Sequence, residues 1–589
     1  MKRNEIADKY KWRLEDMVPT DEEWENIFAE VVKLEPMLAS YEGKLGDKKS
    51  LKEFLDLNEK ADFLLGKLYI YSRMRRDQDG SVQKYVAFSD RAMGLIGKLA
   101  TASSYMNSEI SSLSDEFLAD VIADKDFEKY DFMLKEIARS KKYILSDKEE
   151  KILSMARQAT GNYMEIFTTI NNVELPMPMI KTKDGEVRLT HGNYSVFLGD
   201  PDSKLREQAF KGLYGAYGKL IGTIANTYAG SVKADNFFAK ASGYEDGLQK
   251  SLFGDNVPMD VYNQLIKAVK ENTEVMHRYI ALRKKALGGG DMHMYDLYIP
   301  IVENADLKLS YEKAYDLVIE GLAPLGEEYR QLLIEARDKG WIDVMENEGK
   351  RSGAYSWGSY GTHPYVLLNY SETTHDIFTL AHELGHAMHT YYSCKTWGLH
   401  KSQYQIFVAE VASTVNEVFL LKHLIATVKD KALKKYLLSY YIDMFRTTLF
   451  RQTMFAEFEK IAHDMDLEGK PLTVDSLSEK YYELNKKYYG EAVCHDDEIR
   501  YEWARIPHFY TAFYVYKYAT GITSAISIVK SIMDDPKNLE KYKNFLCAGG
   551  SDNPYNILKN AGVDLATSTP YEVAMKEFND TLELLEKEL

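Results

Sequence analysis

A mainly α-helical fold of more than one compact unit is what the sequence predicts, from three observations. Proline is scarce, at 14 of 589 residues, while runs rich in Glu, Lys, Leu and Ala recur; these straight-chain residues and Ala lose little side-chain freedom in a helix. Helix starts are legible as Ser or Thr followed three residues later by Glu. A chain of this length exceeds what one hydrophobic core usually supports, so two or three packed subdomains are expected.

The elements follow in order. Thr20 ahead of Glu23 opens one helix, and Ser146 ahead of Glu149 opens another, each with the pattern of a capping box. Between them the chain reads as successive amphipathic helices. The pattern changes near residue 174, where two short runs flank Asp184-Gly185 and read as a β-hairpin. Helical periodicity resumes after Pro201 with one long segment to about Phe238. Gly288-Gly289-Gly290 marks a surface connection. No internal repeat is evident. The main boundary falls near residue 200, giving an N-terminal helical domain over 1–200 that ends in the hairpin and a catalytic domain over 201–589.

Charge and cysteine usage exclude several classes. The net charge of −16 argues against a nucleic-acid partner, because phosphate binding needs a basic stripe. The first residues lack the apolar core of a signal peptide, and no run of about 18 uncharged apolar residues occurs, so no membrane partner is expected. Cys394, Cys494 and Cys547 are too few and too scattered for a disulfide framework. A cytoplasmic protein with no obligate protein partner is the reading.

The segment around His382-Glu383-Leu384-Gly385-His386 carries the chemistry. Thr373 with Asp376 is its N-cap, and Ile377, Ala381, Leu384 and Met388 form the buried stripe of the helix. His382 and His386, four residues apart, lie one above the other on a different face. That spacing lets both imidazoles reach one zinc ion at about 2.0–2.1 Å. Glu383 is rotated about 100° away, where it reaches the attacking water as general base instead of ligating the ion. In a chain with 13 His, chance supplies roughly 0.02 such five-residue matches.

A catalytic zinc site needs a third protein ligand. His389 shares the face of His382 but lies about 10.5 Å along the axis, too far to share one ion, and reads as a packing or supporting residue. The place of a third His six residues after the second is held by Tyr392. A second amphipathic helix, starting near Gln403, puts Glu410 among Phe407, Val408, Val411 and Ala412. An unpaired carboxylate there is costly, and a metal removes the cost. Glu417, two turns on, can orient a ligand imidazole.

With these residues in view, the chain resembles the thimet-oligopeptidase family of zinc metallopeptidases, and within it the oligoendopeptidase F branch. Four stretches in order carry the resemblance: KWRLEDMVPTDEEW at the N-terminus, HELGHAMH with Glu410 following His386 after 23 intervening residues, IPHFYTAFYVYKYATG, and AGGSDNPYNILKNAGVD. The resemblance implies an elongated, two-lobed helical fold with a deep substrate channel and a small β-sheet near the zinc site. It implies Glu410 as the third ligand of one zinc per chain, and internal cleavage of short, unfolded oligopeptides. The third stretch becomes the substrate-contacting segment.

That segment offers His508, Tyr510, Tyr514 and Tyr516. A Tyr hydroxyl or an imidazole can donate to the oxyanion formed by water attack on an amide. His508 and Tyr514 are the favoured donors, with Tyr510 and Tyr516 as substrate contacts. Ahead of the metal helix, Tyr365 to Tyr370 reads as a short strand whose exposed edge receives a peptide backbone, with Tyr365, Leu367 and Asn369 in contact. The resulting function is zinc-dependent endohydrolysis of oligopeptides. Its rivals are a dipeptidyl carboxypeptidase-like exopeptidase and a non-catalytic peptide-binding scaffold.

Overall fold

Side-chain caps start the helices where the sequence places them. The Thr20 hydroxyl accepts the Glu23 N–H at 3.1 Å and opens the Asp21–Ala39 helix. Glu23 does not complete the box, because its carboxylate takes the Asn26 amide instead. At Ser146 the box does close, with Glu149 accepting the Ser146 N–H at 3.0 Å. The computed structural model describes residues 1–302 and 307–589. It is predominantly helical, with two small sheets among the described residues. No described helix is long and apolar enough to cross a membrane.

Two compact units divide the chain. The first gathers residues 1–142, 306–423 and 528–562; the second gathers 143–305, 424–527 and 563–589. These units interleave along the chain, whereas the division expected from the sequence is a contiguous one near residue 200. The reason is local: the Ile406–Thr427 and Tyr516–Asp534 helices each run through a change of unit. No linker or composition shift marks those points.

In the first unit the Asp21–Ala39, Lys48–Gln78 and Gln83–Ala102 helices pack around a large apolar cluster. Trp24 is fully buried, stacks on Phe88 at 4.0 Å, and donates its indole N–H to the Leu68 carbonyl at 3.0 Å. An indole buries a large apolar area and leaves one donor to satisfy, and both needs are met. Three short strands, Ile342–Asp343 (β3), Tyr355–Trp357 (β4) and Tyr365–Leu367 (β5), form a sheet in the order β3-β5-β4. β5 pairs parallel with β3 and antiparallel with β4. The sheet lies against the Thr374–Thr396 helix.

The second unit is organised on the 39-residue Ser203–Ala241 helix. Its buried positions recur along much of its length, from Leu205 to Ala239, so neighbours cover several faces. The hairpin predicted around Asp184-Gly185 pairs Met179–Thr182 (β1) with Gly185–Arg188 (β2). Its two-residue loop is Lys183-Asp184, and Gly185 opens β2 with φ +125°.

Candidate metal centre

The Thr374–Thr396 helix is anchored by a complete capping box. Asp376 accepts the Thr373 N–H at 2.9 Å, and the Thr373 hydroxyl accepts the Asp376 N–H at 3.2 Å. Ile377, Ala381, Leu384 and Met388 are all fully buried, which fixes the rotation of the helix. His382 and His386 then share one side, their Nε2 atoms 3.2 Å apart.

The second helix begins at Ile406, three residues later than Gln403. It crosses the first at Gly385, between the two histidines. A Cβ at Gly385 would stand 2.5 Å from Ser413 Cα and 2.7 Å from the Ala412 carbonyl oxygen. Only glycine permits this approach. A buried Asn416 amide donates to the Ala381 carbonyl at 3.0 Å, and the Tyr329 hydroxyl donates to Asn416 at 2.9 Å. Gly550, from the AGGSDNPY stretch, braces the connecting loop by donating its N–H to the Lys401 carbonyl at 2.7 Å. A Cβ there would meet the Gln403 oxygen at 2.4 Å.

This crossing brings Glu410 to the histidines. Its Oε2 lies 3.3 Å from His382 Nε2 and 3.4 Å from His386 Nε2. Four donors at 2.0–2.1 Å around a tetrahedral zinc stand about 3.3–3.4 Å apart, so the three atoms already have the spacing of tetrahedral edges. Among the described residues this is the one group of His, Cys, Asp or Glu side chains able to hold a metal ion. The Ser413 hydroxyl steadies Glu410 Oε2 at 3.2 Å. Phe407, Val408, Val411 and Ala412 are buried, but Glu410 itself is half-buried. Its apolar neighbours in sequence occupy other faces of the helix.

Glu417 contacts Nδ1 of His382, which leaves Nε2 as the ligating nitrogen. Burial pulls the His382 pKa down, but the bonds to Glu410 and Glu417 outweigh it and hold the ring up to about 10. Burial raises Glu410, and the two histidines more than reverse it, leaving that carboxyl far below the usual range. A dication would take the place of the shared proton and release it on binding. Glu383 is nearly fully buried. Burial pushes its carboxyl up, against the pull of His382 and His386, which suits a group that must take a proton.

His389 stands apart from the three ligating atoms. It is buried, stacks on Tyr404 at 3.8 Å and on Phe545 at 5.0 Å, and burial drives its pKa down to about 3. It is a packing residue. The peptide-accepting edge expected at Tyr365–Tyr370 needs correction. β5 is the central strand, so both its edges are occupied. Tyr365 and Leu367 are fully buried, and Asn369 spends its amide on the Arg351 and Gly353 carbonyls. A three-residue apolar run reads alike as an edge or a centre; only the partners decide. The outer positions of the sheet belong to β3 and β4.

His508, Tyr510, Tyr514 and Tyr516 all fall in the second unit. The His508 and Tyr514 rings stack at 5.8 Å, and both are half-buried. Tyr518, unremarked in the sequence, completes the group, its hydroxyl 3.3 Å from His508 Nε2. Its place four residues after Tyr514, one helical turn on, was the available signal. Tyr516 is not a surface contact: it is fully buried, and its hydroxyl donates to Asp255 at 3.2 Å. Tyr510 stacks on Phe167 at 4.7 Å, with a buried hydroxyl that has no partner among the described residues.

Comparison with known proteins fits this centre. The family model described as Peptidase family M3 matches residues 196–577, and a second, described as Oligopeptidase F, matches 109–176. The chain belongs to peptidase family M3. It is thus a metallopeptidase, in agreement with the His-His-Glu cluster. Similar relatives include the oligopeptidase PepF of Bacillus subtilis, 42% identical over 99% of this chain and 88% of its own length. The group B oligopeptidase PepB of Streptococcus agalactiae is 38% identical over 99% and 98%. Among solved structures, a putative peptidase from Chlamydophila abortus superposes with a TM-score of 0.95 at 34% identity, covering both chains fully. Oligoendopeptidase-F from Enterococcus faecium superposes at 0.74 with 33% identity, over 96% and 99%.

Two outcomes follow for this M3 peptidase. Gly385→Ala forces the metal helices apart, and overpacking of this kind costs about 1–3 kcal/mol; thermal denaturation and metal titration should report lower stability together with weaker metal binding. His389 is neutral when folded, so the unfolded chain binds the extra proton between about pH 6.5 and pH 3. Its stabilising contribution is present above about 6.5 and is lost as pH falls, by about 2 kcal/mol at pH 5. His389→Phe should flatten that slope in denaturation curves while leaving metal stoichiometry intact.

Proposed function

We propose that the protein is a zinc-dependent endopeptidase that hydrolyses internal bonds of short, unfolded oligopeptides, with one zinc per chain. The observation that carries this reading is the convergence of His382 Nε2, His386 Nε2 and Glu410 Oε2 at 3.2–3.4 Å from one another, with buried Glu383 next to His382. A zinc ion held there would supply Lewis acidity, polarising the scissile carbonyl and making water acidic near neutral pH.

The protein's own groups do the rest. Glu383 takes a proton from the attacking water on its carboxylate and delivers it to the leaving amine nitrogen. Glu417 holds His382 in the tautomer that directs Nε2 to the metal. For His508 and Tyr514 we propose hydrogen-bond donation to the carbonyl oxygen as it gains charge. Support comes from their chemistry and their grouping with Tyr518, and burial lowers the His508 pKa, favouring a neutral ring that keeps one N–H to donate. The names of relatives, oligopeptidase and oligoendopeptidase, support oligopeptides as substrates. Three free cysteines fit a cytoplasmic location.

Glu383→Gln should keep stoichiometric zinc and lose about 10²–10⁴-fold in kcat; full turnover would remove Glu383 from the mechanism. Peptides blocked at both ends should still be cut, with fragments mapped by mass spectrometry. Cleavage confined to free-ended peptides would favour a dipeptidyl carboxypeptidase, and zinc without hydrolysis across a diverse library a binding scaffold. His508→Ala and Tyr514→Phe should each lower kcat, by up to about 10²–10³-fold for an oxyanion donor, with KM changing less.

A further inference from the structure

One bulky residue in the second unit holds a backbone conformation that side chains avoid. Phe513 has φ +57°. The other non-glycine residues with positive φ among the described residues are Asn256 and Glu372; Asn adopts this region readily, whereas an aromatic residue there is an outlier. Such strain persists only where the surroundings over-determine it, and it tends to gather at functional sites.

Its ring and its backbone N–H both hold Phe513 in place. Its ring is fully buried, 5.9 Å from Tyr262 and 4.5 Å from His463. Its N–H donates to Glu459 Oε1 at 2.6 Å. Glu459 comes from the Arg451–Leu467 helix and is 0% exposed. Its Oε2 has no hydrogen-bond partner among the described residues. A buried carboxyl with one idle oxygen is a costly means of filling a core, and an apolar residue would fill it better. What the carboxyl supplies is an acceptor for the buried N–H of a left-handed residue that no helix or strand can satisfy. Tyr514 follows directly, and the backbone carbonyl of His508 closes the preceding turn by accepting the Thr511 N–H at 2.9 Å.

We propose that Glu459 is a positioning residue: by holding the Phe513 N–H it locks the turn that sets the directions of His508 and Tyr514. This rests on the donor role given to those two residues above. Burial raises the Glu459 carboxyl to about 8, with His463 and the Phe513 N–H opposing the rise. That shift favours the neutral carboxyl, and Gln carries the same acceptor oxygen without charge.

The test uses the full-length, zinc-loaded protein and an end-blocked, internally quenched peptide. Glu459→Met keeps the side-chain volume and removes the acceptor; Glu459→Asp draws the acceptor back by one methylene; Glu459→Gln retains it. Met and Asp should lower kcat by about 10- to 100-fold, the scale of a misplacement near 1 Å, with KM and zinc content little changed. Gln should restore kcat to within a few-fold of the parent. Hydrogen exchange of residues 508–516 should quicken in Met and Asp but not in Gln. Tyr514→Phe should cost less in the Glu459→Met background than in the parent, since Tyr514 is already displaced.

Parent-like kcat and exchange in both Met and Asp would overturn the proposal. So would equal losses in Met, Asp and Gln with faster exchange throughout the unit, which would make Glu459 a general core residue. If His508→Ala and Tyr514→Phe leave kcat unchanged while Met still quickens exchange at 508–516, the hold on Phe513 stands and the donor role falls.

Discussion

The absence of a side chain at position 385 governs the geometry of the metal centre. A Cβ would stand 2.5 Å from Ser413 Cα, so the helix bearing the histidines and the helix bearing Glu410 meet backbone to backbone. That contact sets the reach of Glu410: its Oε2 arrives 3.3 and 3.4 Å from the two imidazole nitrogens. The same crossing seats Asn416 on the Ala381 carbonyl and brings Glu417 to Nδ1 of His382. One close approach thus positions a ligand, an orienting carboxylate and a buried tie between the helices. The supporting groups matter because a ligand left loose by an ångström no longer has a productive geometry.

Polar groups in the two units meet burial in different ways. Around the metal centre, carboxylates and imidazoles compensate one another, and a dication would replace the shared proton. At Phe513 a buried carboxyl serves one strained N–H and leaves an oxygen without a partner among the described residues. His389 is buried with its Nδ1 unsatisfied among the described residues, and its ring lies flat on Tyr404. A histidine three residues beyond a ligand is thereby kept from competing for the ion.

The resemblance in four ordered stretches, the match to the M3 family model and the structure agree on a helical metallopeptidase. They bear on different residues. The AGGSDNPY stretch makes no direct contribution to the ligand set; Gly550 instead clamps the loop that leads into the Glu410 helix. Long-range bracing of this kind explains why separate parts of the chain are needed to form one site.

The sequence alone determined what short-range geometry determines. Helical character, the Ser146 and Thr373 boxes, the hairpin near Asp184, the shared face of His382 and His386 and the distinct direction of Glu383 all follow from periods of two and 3.6 residues and from local capping. The rejection of His389 as a co-ligand followed from helical rise alone. Tertiary structure decided whatever depends on a partner distant in sequence. β5 is a central strand because β3 and β4 flank it, and Tyr516 is buried with its ring against Tyr262 and its hydroxyl on Asp255, both distant in sequence. The division into units escapes a linear reading because long helices run through it. Glu410 was legible as a carboxylate in an apolar stretch, but its distance to the histidines exists only in the crossing at Gly385. A spacing of 23 intervening residues carries no geometry until two helices pack.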